Sequence, residues 1–198
     1  MTAPAPTIDA RVAELLAAGT PDQAAVLVLE THGPGIFRML RGVFHDDDVA
    51  EDLYQRFSME LWKSIARFEG RSSVYTWAYV LARRTVSWRL RQGEHKREQR
   101  LKTGQEEALL AEHWSRTATP AWQRTEVKNR FQELCQGLPK EDRVLVMLRI
   151  GERMDWKQIA QVLDEESALA DTAAVNKEAA RLRKRFERVK GKLRVALT

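Results

Sequence analysis

Apolar residues recur at spacings of three and four along nearly the whole chain, and period-two runs are almost absent. That pattern predicts helices throughout and no sheet. Residues 8–18 and 21–31 read as two short amphipathic helices, the second opened by Thr20 and Pro21 as N-cap and first helical residue. His32-Gly33-Pro34-Gly35 interrupts the pattern, and residues 36–44 resume it with Ile36, Leu40, Val43 and Phe44. After Asp46-Asp47-Asp48 comes the clearest stripe, in which Val49, Leu53, Phe57, Leu61 and Ile65 recur every fourth residue and Tyr54 and Trp62 broaden the face. Glu51, Asp52, Gln55, Arg56 and Lys63 fall on other faces.

The loop Glu69-Gly70-Arg71-Ser72-Ser73 separates this helix from the next, which begins at Val74 and is expected to end near Gly93. Residues 93–120 are polar and weakly periodic, a linker with some helical tendency closed by Thr119-Pro120. A second unit follows: a helix over 122–136, a break at Gly137-Leu138-Pro139, and a helix over 140–150 ended by Gly151. Asp155 and Gln158 then make a capping-box pattern for a short helix to Leu163. Residues 164–174 are acidic and Ala-rich, and a last helix runs from about Val175 to Ala196. The expected fold is all-α: two small helical domains, residues 1–92 and 122–198, joined by a linker at 93–121, the second domain a helix-turn-helix.

Charge sharpens this picture. The net charge is only +5, but residues 71–105 hold nine Lys/Arg against two Glu, and residues 175–198 repeat that ratio. Segregated positive charge of this kind is the footprint of a polyanion, and two blocks about a hundred residues apart imply two contacts on one long partner. With 43% hydrophobic residues the chain can build a core. A single cysteine, Cys135, excludes an intramolecular disulfide and a cysteine metal cluster. The N-terminal stretch lacks the basic and apolar regions of a signal peptide, and no apolar run reaches membrane-spanning length. A cytoplasmic protein with no membrane partner is expected.

Two short helices with a turn, then a longer basic helix, describe a helix-turn-helix whose last helix enters the major groove. On that helix Arg181, Lys184, Arg185 and Arg188 lie close to one face, Arg183 and Glu187 occupy a neighbouring strip, and Leu182, Phe186, Val189 and Leu193 form the buried stripe. Arginine can read guanine bidentately, and Glu187 could accept from cytosine N4. A solvated basic helix is the plainer alternative.

The segment from Ala50 to Arg84 is more specific. It resembles conserved region two of bacterial RNA polymerase sigma factors of the extracytoplasmic-function class. Ala50-Glu51-Asp52-Leu53, Gln55, Phe57 and Trp62 match that family's first helix pattern. Phe68, Gly70, Ser72, Thr76 and Trp77, with Tyr75 in an aromatic place, match its loop, and Ala82-Arg83 its next helix. The C-terminal unit resembles region four through Leu138-Pro139, Ile159-Ala160 before Leu163, and the run from Leu182 to Arg194. The resemblance covers about residues 24–92 and 127–195.

It implies a site for each basic block. Region two would dock on the polymerase clamp helices through Asp52, Gln55, Arg56 and Trp62. It would recognise and melt the minus-ten element through Phe68, Arg71, Ser72, Ser73, Tyr75, Arg83, Arg84 and Trp88. Region four would meet the polymerase flap and read the minus-thirty-five element through Arg183, Lys184, Arg185, Glu187 and Arg188. The residue types suit this: melted bases need aromatic faces and small-walled pockets, and the backbone needs cations. Trp77 and Tyr79 lie on the apolar stripe and read as core. The implied partners are core RNA polymerase, promoter DNA and, within the family, an anti-sigma factor; no cofactor is implied.

This chain departs from the family pattern at Arg56, where the family has Glu, at Arg84, where it has Asn, and at Trp88, where it has Asp. The turn between the last two helices, Asp164 to Arg181, is also longer than usual by about a dozen residues in that alignment. His45-Asp46-Asp47-Asp48 could be taken for a metal cluster, but reads better as a helix N-cap with acidic residues facing the dipole. No phosphate loop, nucleophile elbow or paired catalytic carboxylates occur, so no enzyme is expected. The alternatives are a stand-alone helix-turn-helix regulator with an N-terminal dimerisation or effector domain, and an adaptor whose basic helices bind acidic proteins.

Overall fold

The structure, a computed structural model, describes residues 6–102, 135–164 and 172–195, with the backbone alone for 93–102 and 195. Seven α-helices carry it: α1 (Ile8–Ala17), α2 (Pro21–Phe44), α3 (Asp47–Ser64), α4 (Val74–Lys102), α5 (Lys140–Val146), α6 (Trp156–Leu163) and α7 (Thr172–Val195). A 3-10 turn at Ile65–Arg67 follows α3, and a π-helical turn at Met147–Gly151 follows α5. Among the described residues there is no strand, as the periodicity predicts.

Local chemistry accounts for most of the helix starts. Thr7 Oγ1 accepts from the Ala10 amide at the head of α1. Asp46 accepts from the Val49 amide at 3.0 Å to open α3, so the acidic triplet is a cap. Its neighbour Asp47 is held by the Arg41 guanidinium at 2.7 and 3.1 Å. At α6 the capping box is complete, with Asp155 accepting from the amides of Lys157 and Gln158 and the Gln158 side chain accepting from the Asp155 amide. Thr20 precedes Pro21 as expected but makes no cap bond; its hydroxyl donates to the Leu15 carbonyl at 2.9 Å.

Four boundaries differ from the sequence reading. The segment His32–Gly35 does not break the chain, and α2 runs unbroken through Pro34. Tertiary packing overrides propensity here, because the two glycines are where other elements press on the helix. A Cβ at Gly33 would lie 2.4 Å from the Tyr54 hydroxyl, and one at Gly35 would lie 2.5 Å from the Tyr79 hydroxyl. Helix α4 continues past Gly93 to Lys102. The segment expected as one helix to Ile150 turns from α into π geometry at Met147. Helix α7 starts at Thr172, so part of the long turn after Asp164 is helix. The helix expected over 122–136 lies outside the described residues, apart from Cys135 and Gln136.

Helix α2 is the spine. Helices α1, α3 and α4 pack on it, burying Val12, Val28, Ile36, Leu40, Leu53, Phe57, Leu61, Ile65 and Val86. Each such side chain contributes about 1.5–3 kcal/mol when fully buried. Helices α5 to α7 do not stand apart. Helix α5 packs on α2, α6 packs on α4, and Val144, Leu145, Leu148, Met154, Ile159 and Leu182 join the same buried cluster. Met147 presses on Gly42, where a Cβ would collide with its sulfur. Arg143 donates across the join to the Val43 carbonyl at 3.0 Å, and the Lys140 ammonium lies 5.4 Å from the centre of the Phe44 ring. A smaller cluster of Cys135, Leu138, Val146, Val189 and Leu193 holds α7 to α5. Burial pushes the Cys135 thiol pKa up, which makes it a packing residue with little thiolate character.

Candidate nucleic-acid interface

The loop between α3 and α4 is built by a tight turn and two caps. Gly70 takes a left-handed φ of 71°, with nothing within 4 Å of where a Cβ would sit. Arg71 is exposed and pairs with Glu69 at 2.5 Å, a contact that exchanges readily with water. Phe68 is half-buried and tilts against Trp77 at 5.1 Å between ring centres, which places Trp77 against the core as the stripe predicts. Ser73 Oγ accepts from the Thr76 amide at 3.1 Å and shares a hydrogen bond with Thr76 Oγ1 at 3.0 Å. That is N-cap chemistry, so Ser73 shapes the start of α4. Ser72 is half-buried, and its hydroxyl donates to the Ser73 carbonyl at 3.3 Å. A second cap comes from far along the chain, since the Val74 amide donates to Asp9 of α1 at 2.6 Å.

Tyr75 occupies the centre of an aromatic group. Its ring lies 4.8 Å from Tyr79 and 5.2 Å, edge-on, from His32, and its hydroxyl donates to the Glu152 carbonyl at 3.3 Å. Burial is the main cause of its raised pKa, with the charge of Glu152 second. Burial also lowers the pKa of His32, against the opposing pull of Asp9, which favours a neutral imidazole there. Tyr79 is a core residue; burial and the hydrogen bond to Glu152 hold its phenol far above the ordinary range.

Further along α4, Arg84 is exposed, while Arg83 is half-buried and reaches Ser87. Trp88 is half-buried, and the Arg56 guanidinium lies 3.9 Å from its ring centre. Two of the departures from the family pattern thus meet face to face. A family-type Glu at 56 could not stack on Trp88, whereas arginine can. The fold brings together residues expected to serve two different partners.

The α3 residues expected to dock share one exposed face. Asp52, Gln55, Arg56 and Trp62 are all exposed, and Trp62 is 45% exposed despite its size. Met59, at 58% exposure, lies between them and is the residue the sequence reading missed. Its place four residues after Gln55 and three before Trp62 was the available signal. An apolar strip of this kind, rimmed by charge, suits a protein partner.

On α7 the expected readers separate into two groups. Arg183, Lys184, Glu187 and Arg188 are exposed, with Glu187 only 3.8 Å from the Lys190 ammonium. Arg185 turns inward and donates to Asp142 of α5 at 2.6 Å, with only 11% of the Asp142 side chain exposed. Arg185→Ala is therefore expected to cost about 1–2 kcal/mol in urea denaturation, since it leaves a largely buried carboxylate without its partner; the fully buried figure is reduced because Arg185 is itself partly solvated. Arg188→Ala should change stability by less than about 0.5 kcal/mol. Equal stability of the two variants would show that the Arg185–Asp142 pair holds nothing together.

Among the described residues, no group of His, Cys, Asp and Glu could hold a metal ion, and no helix is long and apolar enough to cross a membrane. Residues 28–96 match the family model of sigma-70 region 2. No curated protein matches the chain. The matched segment spans most of α2, all of α3 and the loop, and the greater part of α4, which are the elements that carry both the exposed α3 face and the aromatic loop. That match covers about a third of the chain, and over it the chain is similar to sigma-70 region 2.

Proposed function

We propose that this protein is a sigma factor of the extracytoplasmic-function class, with region two at its N-terminal end and a region-four-like helix-turn-helix in α6 and α7. It binds core RNA polymerase through the exposed strip Asp52, Gln55, Arg56, Met59 and Trp62. It directs the enzyme to promoters and opens them, in the cytoplasm, and has no catalytic activity of its own. The observation that carries this reading is the region 2 match over the two helices and loop that present these residues.

The upstream half of the reading rests on α6 and α7. A short capped helix leads through a turn to a long helix whose exposed face bears Arg183, Lys184 and Arg188. Exposed cations on one side of a helix can reach phosphates and guanine edges together. We assign the minus-thirty-five element to this face, with Glu187 as a selectivity residue and Arg185 as a scaffold for the helix. Phe68, Arg71, Ser72, Tyr75, Arg83, Arg84 and Trp88 belong to the minus-ten side in this assignment, with Ser73 shaping their loop.

Run-off transcription tests it. Purified protein added to core polymerase on a genomic library is expected to start transcripts at a discrete set of promoters, while the protein alone binds duplex DNA weakly. Each module is small, and polymerase must hold both on one template for their affinities to combine. Tight sequence-specific binding by the free protein as a symmetric dimer, without polymerase capture, would overturn this and support a stand-alone regulator.

A further inference from the structure

The join of α3 and α4 holds a cation turned away from its own helix. By spacing, Arg56 can reach Asp52 one turn before it and Glu60 one turn after it. Among the described residues it forms no ion pair with either. Its guanidinium lies instead 3.9 Å from the centre of the Trp88 ring on α4. Trp88 is half-buried and packs against the buried cluster, so the ring is a fixed platform and the arginine is its outer layer. A guanidinium lying over a ring keeps its N–H donors in its own plane, free to fork onto a phosphate. Arg84 stands one turn before Trp88 on α4, exposed and likewise without an ion pair among the described residues. The departures from the family pattern at 56, 84 and 88 therefore fall in one patch of two exposed cations and a ring.

We propose that Arg56 is a DNA-phosphate ligand, held in place by Trp88, which together with Arg84 grips paired DNA beside the opened bases. This rests on the reading of α4 and its loop as the minus-ten side. Tyr75 and Trp88 stand about 20 Å apart along α4 at about 1.5 Å per residue. That is about six base pairs at about 3.4 Å each, so the patch meets DNA beyond a base opened at the loop, where the strands are still paired. Paired DNA offers no base face to a ring, and Arg56 already covers Trp88, so the patch suits backbone and not bases. Residues 71–105, to which Arg84 and Trp88 belong, hold nine Lys/Arg against two Glu. The Arg56 charge thus joins a cationic stretch of α4 and leaves the mixed charges of α3, which favours a polyanion over an acidic protein. Phosphate contacts carry no sequence information but fix the register of a protein on DNA. Arg56 holds that register while the loop receives a base, and Trp88 is a positioning residue that acts through it.

The test titrates the free full chain against a random-sequence duplex of about 20 base pairs, from about 50 to 200 mM salt, and reads the slope of log affinity on log salt. Arg56→Gln should make that slope shallower by about one, as expected for one lost phosphate contact. Trp88→Leu removes no charge and should make it shallower by a similar amount, because the guanidinium loses its platform. The double variant should lose no more than either alone, whereas Arg84→Gln should add a loss of its own. Arg56→Lys keeps a cation and Trp88→Phe keeps a ring, so both should hold the slope near that of the parent, with helical content by circular dichroism matched throughout. An unchanged slope in Arg56→Gln would overturn the phosphate contact, and weaker capture of core polymerase beside it would give the group to a protein partner instead. An unchanged slope in Trp88→Leu, or losses that add in the double variant, would overturn the platform. A larger loss on a single strand of the same length would overturn the assignment to paired DNA. No polymerase enters the titration, so failure of the sigma-factor reading shows separately, in run-off transcription.

Discussion

A chain carrying Ser72→Ala and Tyr75→Ala is expected to open linear promoter DNA about ten- to a hundredfold more slowly than the parent, with polymerase binding intact. Extruding a base costs a few kcal/mol, and stacking on an aromatic face returns about 1–3 kcal/mol of that. Losing the ring removes the return, and about 1.4 kcal/mol is already tenfold in rate. Tyr75→Phe should open promoters at nearly the parental rate, because it keeps the ring and loses only the hydrogen bonds of its hydroxyl, to Glu152 and Tyr79. Ser73→Ala should act differently: it removes the cap of α4 and costs about 1 kcal/mol of stability, with a smaller effect on opening. Permanganate footprinting reads the opening, and a template with a pre-melted bubble should restore the double variant. Equal failure on the bubble would make the loop purely structural.

Phe57→Ala should lower the unfolding free energy by about 3–5 kcal/mol in urea denaturation. Phe57 is fully buried among the side chains of α2, α3 and α4, and truncation adds a cavity cost to the lost transfer energy. For a domain whose total stability is about 5–15 kcal/mol, that is enough to populate the unfolded state. Trp62→Ala, five residues further along α3, should change stability by less than about 1 kcal/mol while weakening capture of core polymerase. Nearly half of the Trp62 side chain is already in water, so its removal opens little cavity. If Trp62→Ala destabilises the chain as much as Phe57→Ala, the exposed strip is part of the core and the docking assignment fails.

Which residues of the candidate site are exposed was legible in the sequence, because most of them lie on regular helices. The four-residue spacing of Leu53, Phe57 and Leu61 assigns them to the inside of α3, and the same spacing turns Asp52, Gln55, Arg56 and Trp62 outward. Asp46 and the Asp155–Gln158 pair were readable as caps because a cap depends on neighbours within one turn. Met59 falls on the same outward face by the same spacing, but an exposed methionine carries no charge to mark it in a sequence.

What the chain could not show by local pattern is whatever spans it. Gly33 and Gly35 look like helix breakers until Tyr54, Tyr79 and Glu152 are seen filling the space above them. Asp9 caps an amide 65 residues away, and Arg185, expected as a DNA contact, donates to Asp142 of α5. The sequence by itself determined the all-helical class, the buried stripe of α3 and the two basic helices, because periodicity and charge are properties of short windows. Only the tertiary structure decided that Glu152 sits under two tyrosines, that Arg56 covers Trp88, and that the C-terminal half packs on α2 and α4. Those are pairings between distant segments, and the free energy that selects them comes from surfaces that meet only after the helices have formed.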